Sequence, residues 1–168
     1  MAIINTSRKR KNLGTRAQAL VEFAIALPLL LVMLVGIMEV GRMIITYALV
    51  NNASRDAVRY ASAVGRGDDG FYKYKNCLGI QNIAKKSAFI VTLSSISISY
   101  KDENGNSAGV CSPLTITEDL DVTVDSNYRV TVTVTASYKP VVKLIPISQR
   151  TFTATSSRTI LGIFDLDN

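Results

Sequence analysis

Hydrophobic and polar residues follow three patterns in turn along this chain: a continuous apolar run, a helical stripe and strict alternation. The continuous run, Phe23–Met38, contains no charged residue, and Glu22 and Glu39 bracket it. A helix rises about 1.5 Å per residue, so this run alone covers roughly 24 Å, less than a hydrocarbon core of roughly 30 Å. Lengthened to Ala19–Gly41 it covers about 34 Å, which predicts a membrane-spanning helix over residues 18–41 with a glutamate near each interface.

The helical pattern continues beyond the apolar run. Its apolar side recurs at three- and four-residue spacing through Val50, Ala53, Ala57, Tyr60, Ala61 and Val64. This spacing predicts one helix from Gln18 to Val64, in which residues 42–64 form an amphipathic continuation of the span. On the polar side, Asp56 and Arg59 have the spacing of an i,i+3 ion pair. Pro28, in the first third of the helix, removes one backbone hydrogen bond, so we expect a kink or local melting there.

Residues 1–17 form a basic leader that has no acidic residue and carries five cations: Arg8, Lys9, Arg10, Lys11 and Arg16. The positive-inside rule keeps this leader in the cytoplasm and sends the C-terminal part outside. A secretory signal peptide also places basic residues before apolar ones. Here the apolar run is long, and no small-x-small cleavage site follows it before Glu39 and Arg42. A span that stays in the lipid bilayer is therefore favoured.

The remaining chain, residues 65–168, is predicted to be one exported α+β domain with an antiparallel sheet that the long helix covers. A short helix is predicted over Asn76–Ala88, with Leu78, Ile83, Ala84 and Ala88 on its inner side and Gly79 weakening it. Three strands are predicted where apolar residues alternate with serine or threonine, at 95–100, 130–136 and 151–155. Residues 116–124 supply a candidate fourth strand, and Asn104-Gly105 a turn.

Composition narrows the chemistry of the exported part. The formal net charge is +6, but with the leader excluded the charges nearly cancel, so no nucleic-acid-binding surface is predicted. The chain has no histidine and no tryptophan, which excludes Ser-His-Asp and Cys-His catalysis and most zinc sites. No polar motif converges on a reaction centre, so we predict no enzyme, no catalytic residue, no cofactor and no metal.

Two local patterns suggest a disulfide and a calcium loop. Cys77 and Cys111 are the only cysteines, and an even count in an oxidising compartment favours a disulfide, with two unlinked thiols as the alternative. Asp102, Asn104 and Asn106 have the spacing of the first three ligands of a calcium loop. The glycine and the bidentate glutamate that such a loop requires are replaced by Ser107 and Pro113, so a calcium site is not predicted.

Taken together, the segments RAQALVEFAIALPLLLVMLVGIMEVGR (16–42) and NNASRDAVRYASAVG (51–65) resemble the TadE-like minor pilins, or pseudopilins, of tight adherence (Tad, Flp-type) pili. In that family an aspartyl-type prepilin peptidase removes the leader, and a glutamate stands at the fifth mature position before an aromatic residue. The resemblance implies cleavage between Ala17 and Gln18, with Glu22 as the fifth and Phe23 as the sixth mature residue. Ala17 stands where the family usually has glycine.

The resemblance also implies partners and a location. The partners are the prepilin peptidase, other pilin subunits (a major Flp-type pilin and another minor pilin) and an inner-membrane assembly platform. The location is the prokaryotic cytoplasmic membrane, with a single pass and the C-terminal domain outside, and from there the pilus. Glu22 would receive the new amine of an incoming subunit, an attraction that is strong at low dielectric. The alternative interpretation of Glu22, from its position alone, is a carboxylate that the helix dipole stabilises near the N-terminus of the helix.

Two other function classes remain for the experiments to exclude. The first is a stationary single-span membrane protein that is never processed and whose outer domain binds a partner. The second is a secreted enzyme, which the missing histidine disfavours. The N-terminus of the membrane form separates the processed pilin from the anchored binding protein.

Overall fold

The computed structural model describes residues 13–67, 70, 72–111, 128–142 and 148–160, with side chains from residue 17 onward. Its elements in chain order are α1 (Leu13–Ser62), α2 (Cys77–Ser87), β1 (Leu93–Lys101), β2 (Ser107–Cys111), β3 (Arg129–Tyr138) and β4 (Arg150–Thr159). A long N-terminal helix is therefore followed by a short helix and a four-stranded antiparallel sheet. The predicted α+β class is confirmed.

Helix α1 is 50 residues long, which corresponds to about 75 Å at the usual rise per residue. It passes through Pro28 without interruption, so the helix does not melt at that residue. The helix ends at Ser62, two residues earlier than expected, and Val64 is exposed. Gly65 then turns the chain at a φ of 98°, a backbone conformation that glycine adopts without steric penalty.

The sheet has the strand order β2-β1-β3-β4, and every neighbouring pair is antiparallel. Burial alternates along β3 from Val130 to Tyr138, because every second side chain points to the inner face. The outer face carries the serines and threonines, of which Thr133 and Thr155 share a cross-strand hydrogen bond of 3.0 Å between their hydroxyls. The three predicted strands correspond to β1, β3 and β4.

One strand was missed. Ser107–Cys111 pairs with β1 through a hairpin whose turn lies at the predicted Asn104-Gly105 position. The candidate strand at residues 116–124 lies outside the described residues. In the hairpin turn, Asp102 accepts hydrogen bonds from the backbone N–H and side-chain amide of Asn106, at 2.7 and 3.0 Å, and these bonds lower the pKa of Asp102. The pattern that imitates a calcium loop therefore builds a β-turn.

The core lies between the C-terminal half of α1 and the inner face of the sheet. The helix contributes a stripe of small residues that are at most 1% exposed: Val50, Ala53, Ala57 and Ala61. The strands that lie against α1 are β3 and β4, and the same core includes buried residues of β1 and β3, among them Ile96, Ile98, Val130, Val132 and Val134. Small side chains let the helix approach the sheet closely, so the predicted alanine stripe is confirmed as the contact face.

Helix α2 packs on α1; Ala84 and Ala88 are buried as predicted, but the prediction for Leu78 is wrong. Ile80, Gln81 and Ala84 are buried, whereas Leu78 is 50% exposed. Asn76 caps the helix by accepting a 2.7 Å hydrogen bond from the N–H of Gly79. A Cβ atom at Gly79 would lie 2.6 Å from the Asn76 side chain, so this glycine permits the cap and does not merely weaken the helix.

A disulfide joins Cys77, at the start of α2, to Cys111, at the end of β2, with 6.0 Å between the Cα atoms. It ties the edge strand to the helical layer across 34 residues of sequence. Beside it, the buried hydroxyl of Tyr100 lies 3.8 Å from the Cys111 sulfur and donates a hydrogen bond to the carbonyl of Tyr74. Burial raises the pKa of Tyr100 well above its usual value.

Candidate functional site

Residues 17–34 of α1 have no packing partner among the described residues. Every side chain from Ala17 to Leu34 is exposed, and the apolar window of this helix is 0% buried. Among its largest exposed residues are Leu20, Phe23, Ile25, Leu29 and Met38, each more than 60% exposed. A helix this apolar is stable in water only when something covers it, and its length is sufficient to cross a bilayer.

At the start of this exposed half, Gln18 and Glu22 lie on the same side of the helix. The Gln18 side-chain amide donates a hydrogen bond of 3.2 Å to the Glu22 carboxylate, a contact between residues one turn apart. Both residues are exposed, and Phe23 beside them is 61% exposed. No hydrogen bond joins Glu22 to the sheet domain in the described part of the chain, so its carboxylate is accessible to another molecule.

The peptide bond between Ala17 and Gln18 lies inside α1, four residues after the helix begins. A peptidase that cuts there must first unwind the turn that precedes Gln18, since a helical backbone is already hydrogen-bonded. Ala17 is itself exposed, so no tertiary packing opposes this unwinding. The orientation charges Arg8, Lys9, Arg10 and Lys11 lie outside the described residues, as does the side chain of Arg16.

The opposite end of the apolar run has a different environment. Glu39 is only 3% exposed, and its carboxylate is held by the sheet domain. One oxygen accepts hydrogen bonds from the backbone N–H groups of Val141 and Val142, at 3.0 and 3.1 Å. The other accepts from the hydroxyl of Tyr138, and Arg42 pairs with Glu39 at 3.5 Å. We call these five residues the Glu39 clamp.

Aromatic packing extends the clamp onto the sheet. The guanidinium of Arg42 lies 5.9 Å from the centre of the Tyr138 ring, and Phe152 contacts both Tyr138 and Tyr47 with ring centres 6.5 and 6.0 Å apart. Burial, followed by the hydrogen bond to Glu39, raises the pKa of Tyr138, so the phenol stays a donor at neutral pH. The sheet domain thus contacts α1 from Glu39 onward, three residues before the predicted boundary at residue 42.

Sequence reasoning identified Glu39 only as a glutamate near an interface. Apart from Arg42, its partners lie about 100 residues away, where β3 ends and just beyond, and nothing in the local sequence around Glu39 points to them. The available signal was weak: a tyrosine that closes the alternating pattern of β3, followed by Lys139 and Pro140, which end the strand.

Comparison with known proteins gives one match. The family model described as TadE-like protein matches residues 17–59, about a quarter of the chain, which confirms the resemblance over the helical segment. The matched residues include Glu22, the whole exposed half of α1 and most of its packed half. No curated protein and no solved structure matches the chain.

Proposed function

We propose that this chain, whose residues 17–59 match the TadE-like family, is a minor pilin or pseudopilin subunit of a Tad-type type IV pilus. In this proposal a prepilin peptidase removes the leader after Ala17, and the mature subunit takes part in pilus assembly and surface adherence. The TadE-like segment and the long apolar helix among the described residues support a pilus-associated membrane protein. The processing and the subunit role are the proposed steps.

The observation that carries the proposal is a fully exposed apolar helix that begins with two exposed polar residues, Gln18 and Glu22. Residues 17–34 expose every side chain, so the subunit needs lipid before assembly and other helices after it. A surface that is apolar all round is equally compatible with a bilayer and with the interior of a helical bundle. This compatibility supports transfer of the helix from membrane to filament.

Glu22 supplies a specific contact in that transfer. Cleavage after Ala17 would create a positively charged amine on Gln18, at the positive end of the helix dipole. Glu22 lies four residues later, which places its carboxylate about 6 Å further along the axis. A neighbouring helix displaced axially by one turn would bring its own amine level with this carboxylate, and their attraction at low dielectric would favour that stagger.

The partners follow from this arrangement. A peptidase, an inner-membrane assembly platform and other pilin subunits, both major and minor, would contact the exposed half of α1. The sheet domain, anchored to the helix by the Glu39 clamp, would stay on the outer side of the cytoplasmic membrane. Such an arrangement leaves the threonine-rich outer face of the sheet accessible on the cell surface or on the pilus.

The experiment replaces Glu22 by alanine in a cell that assembles the pilus. We expect Glu22→Ala to be processed normally and to be absent from purified filaments, because the amine of the incoming subunit has lost its anion. Two matched variants separate charge from shape: Glu22→Asp should restore part of the incorporation, and Leu20→Ala, an exposed neighbour, should incorporate normally. Filaments that contain Glu22→Ala in normal amounts would contradict the role of Glu22.

A further inference from the structure

A polar groove lies at the membrane-facing end of the sheet domain. It is formed where the start of β1 and the end of β3 meet α1, and it is lined by two cations, Arg42 and Lys139, and by the hydroxyls of Thr92, Ser94 and Ser137. No carboxylate of the described residues lines it. The nearest acid, Glu39, pairs with Arg42 at 3.5 Å and accepts its other hydrogen bonds from Tyr138, Val141 and Val142, while the Arg42 side chain is still 43% exposed. Cations and hydroxyl donors without a carboxylate suit a phosphate group.

The position of the groove along the axis of α1 favours a lipid head group as the source of the phosphate. Arg42 lies three residues beyond Glu39, about 4.5 Å along the axis from the end of the run without charged residues. A bilayer that covers residues 20–38, roughly 28 Å of helix, therefore places its outer head groups at the level of Arg42. Two strongly exposed apolar side chains, Ile90 at 68% and Val141 at 70%, flank the groove and the clamp at this end.

We infer that this groove binds the phosphate of an outer-leaflet phospholipid, with Ile90 and Val141 contacting the lipid beside it. The inference deepens the proposed function, since it rests on insertion of α1 in the bilayer before assembly. Arg42 and Lys139 hold the phosphate, and Thr92, Ser94 and Ser137 donate hydrogen bonds to its oxygens. The groove thereby sets the height and the tilt of the sheet domain on the membrane.

The first test uses the absence of tryptophan from the chain. Three single-tryptophan variants of the full chain, Val141→Trp, Val110→Trp and Leu29→Trp, are placed in vesicles of phosphatidylglycerol and phosphatidylcholine brominated near the head group. We expect Val141→Trp to be quenched and Val110→Trp to remain bright, because Val110 lies on β2 near the far end of β1. Leu29→Trp, on the exposed helix, reports insertion itself and should respond to bromine placed deeper in the acyl chains.

The second test measures lipid retained by the detergent-purified full chain in native mass spectrometry. Lys139→Gln should lower the retention of phosphatidylglycerol about fivefold, the factor that corresponds to about 1 kcal/mol per basic residue at a membrane surface. Lys101→Gln removes the same charge at the opposite end of β1 and should retain lipid like the unmodified chain. Excess inorganic phosphate, used as a competitor, should not displace the lipid, whereas displacement would identify a site for free phosphate and overturn the lipid assignment.

The outcomes separate this inference from the proposed function. If Leu29→Trp is quenched and Val141→Trp is not, the helix is inserted but the domain stands away from the lipid, and the inference is wrong. Protection of Val141→Trp only in assembled filaments would assign the surface to a neighbouring subunit and would also overturn it. If Leu29→Trp itself is not quenched, insertion fails and the proposed function falls first.

Discussion

The two halves of α1 belong to one uninterrupted helix and have opposite surroundings. Between Ala17 and Leu34 every side chain is exposed, whereas Val50, Ala53, Ala57 and Ala61 are almost completely buried against the sheet. The two glutamates that bracket the apolar run differ in the same way. Glu22 has one described hydrogen bond, to its own helix, and Glu39 is held by the clamp.

This difference shows how one helix can carry two tasks. The packed half fixes the domain through burial of apolar surface and through donors that satisfy Glu39. The exposed half contributes nothing to the fold of the domain, which leaves its surface available for lipid or for other helices. A carboxylate at the junction needs a full set of partners because it is buried, whereas a carboxylate that awaits a partner must stay accessible.

The largest expected effect concerns the domain that holds the packed half. Replacing both Cys77 and Cys111 by alanine should destabilise the sheet domain by about 4 kcal/mol on the chain-entropy estimate for a loop of this length. Far-ultraviolet circular dichroism of the full chain in detergent should show that the exposed half stays helical, since it has no contact with the domain. Simultaneous melting of both halves would show that they are one cooperative unit and would contradict their independence.

A second prediction compares the two glutamates directly. Glu39→Ala should lower the melting temperature of the domain by an amount second only to loss of the disulfide, because it leaves the Tyr138 hydroxyl and two backbone N–H groups without their acceptor. Glu22→Ala should leave the melting temperature unchanged. Thermal melting followed by near-ultraviolet circular dichroism measures both variants, and equal effects would mean that the clamp does not stabilise the domain.

The sequence predicts those features of α1 and the sheet that depend on interactions between residues close together in the chain. The long apolar helix, the alanine stripe and three strands follow from local periodicity, and so does the Asp56–Arg59 pair, observed at 3.8 Å. Strand β2 was missed because SAGVC is short, contains glycine and lacks clear alternation.

The rest depends on contacts that local periodicity does not encode. The face of α2 was misassigned at Leu78 because the Asn76 cap and the Cys77 disulfide fix the rotation of that helix. The clamp was not predictable, because it joins Glu39 to residues that are distant in sequence.

A third prediction uses one substitution at two positions of α1. Val50→Ala removes a side chain that is 1% exposed and should destabilise the domain by about 2–3 kcal/mol, since burial is lost and a cavity remains. Val32→Ala makes the same change where the side chain is 44% exposed and should alter stability by less than about 0.5 kcal/mol. Denaturant unfolding of the full chain in detergent compares them, and a large effect at Val32 would reveal packing on the exposed half.

The smallest expected effect is a pH dependence at the border between the halves. Burial raises the pKa of Tyr138, so its neutral form is favoured in the folded state; this contribution to stability is complete below the unfolded pKa of about 10 and is lost as the pH rises above it. Tyr138→Phe should therefore weaken the alkaline loss of stability and remove one late-ionising phenol from a spectrophotometric titration. If the phenol lost in Tyr138→Phe is one that ionises near the ordinary pKa of about 10, Tyr138 is not held in the clamp.

The proposed cleavage after Ala17 would make Gln18 the N-terminus of the mature subunit. Intact-mass measurement of the protein purified from membranes of a cell that assembles the pilus decides whether this cleavage occurs. We expect a chain that begins at Gln18, with the basic residues of the leader removed. A chain that retains Arg8 to Arg16 would contradict it and would identify a stationary membrane-anchored protein instead.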